Sequence, residues 1–105
     1  MHISTDSALK KLSESNELFT ELFQHGTLTV EVYKPVGKDL QQPHDRDEIY
    51  LIISGKGEFI NGEKTLSFQT GDFLFVPAGV EHRFINFTND FSTWVFFYGP
   101  KGGEK

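Results

Sequence analysis

From Thr27 onward the chain is a succession of short runs of strand-forming residues, each cut off by Gly, Pro, Asn or Asp. Thr27–Lys34 alternates around Leu28, Val30 and Val32, with Pro35 and Gly37 beyond it. Glu48–Ser54 stops at Gly55-Lys56-Gly57, Glu58–Ile60 at Asn61-Gly62, and Lys64–Phe68 at Gly71-Asp72. Phe73–Val76 stops at Pro77-Ala78-Gly79, His82–Phe87 near Asn89-Asp90, and Phe91–Tyr98 at Gly99-Pro100. Alternation of period two with β-branched and aromatic residues is the signature of strands, and Asn-Gly is the strongest short hairpin signal. The spacing predicts an all-β sandwich or barrel and argues against βαβ units.

Upstream, Thr5–Ser15 holds the one convincing helical stretch, capped by Thr5 or Asp6, with Ala8, Leu9 and Leu12 on one face. Glu17–Gln24 fits a helical stripe (Leu18, Phe19, Leu22, Phe23) as well as a strand. The expected organisation is an N-terminal helical segment over 1–16, a barrel over 17–100 and a flexible tail over 101–105. A length of 105 residues fits one domain. Two runs, Phe73-Leu74-Phe75-Val76 and Trp94-Val95-Phe96-Phe97-Tyr98, are apolar on both faces, unlike a strand with one wet face. Together with the small size, they predict a homodimer.

The net charge of −5 argues against nucleic acid or an anionic membrane as partner. With no cysteine there can be no disulfide, thiolate nucleophile or Cys-ligated metal. The N-terminus lacks the charge and apolar pattern of a signal peptide, and no apolar run approaches the ~18 residues of a membrane span. A cytoplasmic protein is the expectation.

Of four histidines, His44 and His82 stand at the entrances of strand-like runs. His44, Glu48 and Gln42 share parity, so on one strand they point the same way. If the two runs are neighbours, two imidazoles and a carboxylate converge, the donor set of a divalent transition-metal site with open positions. Spacing alone leaves open whether residues near 44 and 82 meet. Asp45, Arg46 and Asp47 read as a solvated charged loop beside the site, with Arg46 as a gate for an anionic ligand the alternative. His25-Gly26 reads as a turn and His2 as disordered; Tyr50, Phe84 and Trp94 are the candidate pocket-lining aromatics, although aromatic residues on strands are core by default.

Residues 71–86 contain Gly71-x5-Pro77-x-Gly79-x2-His82-x3-Asn86. This resembles the second motif of the cupin superfamily, with every fixed position filled. From average composition the three Gly/Pro positions match by chance at about 2 in 10⁴ start points. The first motif is kept in part: His44-x3-Glu48-x6-Gly55 is present, while its first histidine position holds Gln42, or Pro43 if one residue is lost. The chain is similar to small single-domain bacterial cupins. The resemblance implies a jelly-roll β-barrel with a short N-terminal helix and makes His44, Glu48 and His82 metal ligands, with Gln42 the candidate fourth. The metal would be a divalent transition ion, Fe, Mn, Ni or Zn. The resemblance further implies a small-molecule substrate or ligand, with an enzyme of dioxygenase or isomerase type as one reading. A non-catalytic binding or sensing module, with or without metal, is the other.

Overall fold

A computed structural model describes residues 1–105 as one helix and eight strands in two antiparallel sheets. The elements are α1 (Thr5–Ser13), β1 (Phe19–His25), β2 (Leu28–Tyr33), β3 (Asp47–Ser54), β4 (Lys56–Asn61), β5 (Lys64–Gln69), β6 (Phe73–Val76), β7 (His82–Ile85) and β8 (Ser92–Tyr98). The larger sheet runs β1-β2-β8-β3-β6 and the smaller β5-β4-β7. The expected all-β jelly-roll barrel with a short N-terminal helix is what forms.

Local chemistry accounts for the boundaries that differ from expectation. The helix is capped by Ser4, whose hydroxyl accepts from Ser7 N at 3.1 Å, and not by Thr5 or Asp6. It ends at Ser13, and Asn16 follows with φ +60°. Glu17–Gln24 resolves to strand β1 because β2 supplies hydrogen-bond partners along its length. A bulge between Glu21 and Phe23 puts Leu22 and Phe23 on one face, the source of the helix-like stripe. The β4–β5 turn lies at Gly62-Glu63, one residue beyond Asn61-Gly62, since Asn61 pairs with Lys64. Gly55-Lys56-Gly57 is a turn only at Gly55, because Lys56 and Gly57 already belong to β4. A side chain at Gly57 would meet Phe87 Cα at 2.7 Å, so the glycine admits a close passage of backbone.

Tyr50, Ile52, Phe59, Phe68, Val76, Phe84, Phe91 and Val95 fill the space between the sheets. Aromatic rings dominate it: Phe84 lies 4.6 Å from both Phe59 and Phe91 and 4.9 Å from Tyr50, centroid to centroid. A second, smaller core forms where Ala8 and Leu12 of α1 pack on Val32, with Leu22, Ile53 and Trp94 around them. Helix α1 thus covers one end of the outer face of the larger sheet. The other end is open: Phe73 (63% exposed), Phe75 (41%) and Leu51 (38%) stand side by side, with Leu51 paired to Phe73 and Ile49 to Phe75. The two-sided apolar runs are therefore covered inside by the barrel and outside only in part.

Residues 101–105 do not form the free tail expected from their composition. Gly102 N donates to Asp45 O at 2.7 Å and Glu104 N to Asp47 Oδ2 at 2.9 Å. Gly103 has φ +90°, and a Cβ there would stand 2.9 Å from Asp47 Oδ1 and 3.2 Å from Ala78 Cβ. Only glycine fits this backbone and this gap. Asp47 Oδ1 also accepts from Ala78 N, so one buried carboxylate ties the C-terminal segment to the loop before β7. Asp47→Ala should lower the melting temperature and open residues 99–105 to carboxypeptidase digestion. Wild-type digestion kinetics in the variant would contradict this.

Candidate metal centre

Glu48 is the second residue of β3 and points inward, as do Tyr50 and Ile52 further along. Its register partners are Val76 on β6 and Phe97 on β8. His82 opens β7, and its alternation with Phe84 turns both side chains into the barrel. His44 belongs to the long segment between β2 and β3 and is placed by its backbone, whose carbonyl accepts from Gly79 N at 2.7 Å. The turn Pro77-Ala78-Gly79 thus holds His44 at the same time as it launches the strand of His82.

The donor atoms of His44, Glu48 and His82 lie within 4.8 Å of one another. His44 Nδ1 is 3.0 Å and His82 Nε2 2.8 Å from the same oxygen, Glu48 Oε1. His82 Nδ1 stands 2.9 Å from Val80 O. A carbonyl only accepts, so Nδ1 carries the proton and Nε2 presents its lone pair toward Glu48 in the neutral ring. In that state the 2.8 Å approach to Oε1 is not a satisfied hydrogen bond. His82 Nε2 and Glu48 Oε2 are both buried and both lack a hydrogen-bond partner. A buried imidazole lone pair and a buried carboxylate oxygen, neither with a hydrogen-bond partner, fit a bound cation.

Electrostatics follow from the same geometry. When His82 is protonated on both nitrogens its Nε2 donates to Oε1. Burial pushes the Glu48 carboxyl up, but hydrogen bonds and charge from His44 and from His82 in that state outweigh it and hold the group below the ordinary 4.5. Burial likewise pushes His82 down, and Glu48 outweighs this, leaving the imidazole above 6.5. Tyr50 is pushed well above its ordinary value, first by burial and then by the charge of Glu48, so it stays protonated and donates to Gln41 Oε1 at 3.1 Å.

Gln42, the candidate fourth ligand, is exposed on the loop before β3. The parity argument that aligned it with His44 and Glu48 required a continuous strand, and β3 begins only at Asp47. Its neighbour Gln41 turns inward instead, bonding Tyr50 and donating through Nε2 to Asp39 Oδ2 at 2.7 Å. Tyr50 sits beside the donors, 6.1 Å from His82 between ring centroids. Phe84 is core, 1% exposed. Trp94 faces the opposite side of the larger sheet, against α1, and lines no part of the centre. The charged loop is not simply solvated: Asp47 is buried, and Arg46 donates to Thr27 O at 2.7 Å and lies over the Phe97 ring.

Two residues of this region were not legible beforehand. Asp39, 4% exposed, accepts from Tyr33 OH, Gln41 N, Gln41 Nε2 and Phe84 N. It fastens the β2–β3 segment across the barrel mouth. Glu31 on β2 faces a cavity of about 310 Å³ shared with His44.

A family profile described as a cupin domain matches residues 29–98. The chain is a cupin. Among similar proteins, the uncharacterized protein SCO3923 of Streptomyces coelicolor is 36% identical over 63 residues, which are 60% of this cupin and 60% of that protein. A cupin-2 domain protein of Shewanella frigidimarina superposes with a TM-score of 0.65 at 18% identity, covering 87% of this chain and 91% of its own. Protein NMB1881 of Neisseria meningitidis gives a TM-score of 0.68 at 15% identity, covering 94% and 100%. The two structural likenesses establish the fold.

These two shifts predict a pH optimum of stability for the metal-free cupin. The lowered Glu48 contributes stability above its unfolded 4.5, lost as pH falls through its folded value. The raised His82 contributes stability below 6.5, lost as pH rises through its folded value. Urea denaturation of chelator-treated protein should therefore show greatest stability in the window between those two unfolded values. A stability that climbs steadily from pH 6 to about 8 would contradict the assignment.

Proposed function

We propose that this cupin is a metal-dependent small-molecule protein, with His44, Glu48 and His82 holding a divalent transition ion and the adjoining cavity holding the ligand. The observation that carries the reading is the pair of buried, unbonded atoms, His82 Nε2 and Glu48 Oε2, beside a third convergent donor. Two imidazoles and a carboxylate leave coordination positions open and suit Fe, Mn, Ni or Zn. When bound, such an ion supplies Lewis-acid polarisation of a ligand oxygen or, for Fe or Mn, a dioxygen-binding position. Chemistry of dioxygenase or isomerase type is the reaction class that this donor set favours.

The protein's own residues do the rest. Val80 O fixes the His82 tautomer, and Gly79 N holds the backbone of His44. Phe97 packs edge-on to the His44 ring at 4.9 Å and braces it against β8. Titration with Ni²⁺ or Mn²⁺ after chelation should give one metal per chain, and His82→Ala should weaken binding by about a hundredfold or more, given that even supporting residues cost 10- to 100-fold. Metal-free wild-type protein across these ions would overturn the reading and leave a purely organic binding module.

The open end of the larger sheet supports a homodimer. Phe73, Phe75 and Leu51 form a contiguous apolar patch at its β6 edge, of the kind monomers rarely leave uncovered. A second copy related by a two-fold axis would bury the same patch on both subunits. Light scattering at micromolar concentration should give twice the 12.0 kDa chain mass, and Phe73→Ser with Phe75→Ser should give the monomer. A monomeric wild type would count against this pairing.

A further inference from the structure

The cavity beside His44 has a polar group that the metal reading does not use. It is lined by Phe19, Glu31, Tyr33, Gln41, His44, Val95 and Phe97, and at about 310 Å³ it suits a small ligand. Glu31 pairs with Val95 on β8 and with Glu21 on β1. Val95 is buried in the barrel, so the residue opposite it turns its side chain to the interior. Glu31 is half-buried, and its carboxylate makes no hydrogen bond or ion pair with another residue. The nearest cation-bearing side chain on the loop, Arg46, is committed to Thr27 O and the Phe97 ring. Tyr33 OH and Gln41 Nε2, the other donors on the cavity wall, are both committed to Asp39.

The chain therefore leaves one carboxylate acceptor free on the wall of the cavity that His44 also lines. We infer that Glu31 is the acid–base residue of the site: its carboxylate receives the proton of a hydroxyl on a small uncharged ligand and disfavours ligands that enter as anions. This rests on the metal reading of His44, Glu48 and His82. In the transfer the ligand O–H bond breaks, a Glu31 O–H bond forms, and the electron pair stays on the ligand oxygen that faces the three donors. No oxidant or reductant enters the step. The ligand class is a diol, catechol or enol, with an apolar body against Phe19, Val95 and Phe97.

The surroundings suit both roles. Burial raises the Glu31 carboxyl above 4.5, Glu21 on β1 and Glu48 on β3 add to this, and His44 and Arg46 on the loop oppose it. A carboxylate so placed is a stronger base than one in water and a weaker neighbour for a second anion.

The test uses the intact protein loaded with Ni²⁺ at pH ~8, where an ordinary or moderately raised carboxyl is ionised. Calorimetry follows catechol as the uncharged hydroxyl probe and oxalate as the anionic one. Glu31→Gln keeps shape and removes both charge and basicity. It should bind catechol about tenfold more weakly and oxalate several-fold more tightly, the two probes moving in opposite directions. Glu31→Asp keeps the charge and should keep the wild-type order of the two probes. Metal stoichiometry and melting temperature, measured on the same samples, should match wild type. Wild-type protein that takes up no Ni²⁺ overturns the metal centre and this inference with it. Normal metal uptake with both probes unchanged, or both shifted the same way, overturns Glu31 alone. Loss of metal in Glu31→Gln would make Glu31 a support of the ion and would likewise overturn the acid–base assignment.

Discussion

Everything near the centre of this barrel is arranged around one buried carboxylate. Glu48 is 1% exposed, and taking an ionised carboxyl out of water costs several kcal/mol unless charge and hydrogen bonds return it. The return comes from two imidazoles that approach the same oxygen, Oε1, and leave Oε2 with nothing. Proteins that need only a stable core do better with a hydrophobic residue at such a position. A carboxylate kept there, with two imidazoles beside it, forms a donor group able to hold a metal ion.

The positions of the three donors are in turn set by backbone contacts between segments distant in sequence. The turn Pro77-Ala78-Gly79 reaches His44 through its carbonyl and Asp47 through its carboxylate, while the C-terminal segment reaches Asp45 and Asp47. The residues flanking Glu48 are thus clamped from two sides. Asp39 does the same for the far end of the β2–β3 segment, joining it to the backbone of Phe84 on β7. The side chains that face the cavity sit on a frame in which main-chain N–H groups donate to carbonyls and to the Asp39 and Asp47 carboxylates.

Much of this was legible in the residues. Short runs ended by glycine and proline predicted the strands, and the spacing Gly71–Asn86 singled out His82 with its turn. Asn86 shows why the motif ends as it does: at φ +51° it closes β7 in a conformation that asparagine tolerates well. Less legible was which face of a strand turns inward when both are apolar. Trp94 and Val95 are equally hydrophobic, and only the register of β8 against β2 and β3 puts Val95 inside and Trp94 under the helix. The same ambiguity hid Glu31, whose orientation depends on that pairing. Gln41 and Gln42 differ by one step along an irregular segment, where strand parity carries no information. The role of the C-terminal glycines was hidden for a related reason, since Gly-Gly reads as flexible until the carboxylate that receives its neighbours is in view.

The larger sheet has a kinetic consequence. Glu48 comes to lie beside Phe97, and His82 across from both, only after β3 has paired with β8, a contact between segments more than forty residues apart. Loop closure of that length precedes any reward from the pairing, so such contacts form slowly and late. His44 and Glu48 are four residues apart, but His82 joins them only when the barrel is closed. An ion bound by all three would therefore favour the closed barrel over the unfolded ensemble by mass action.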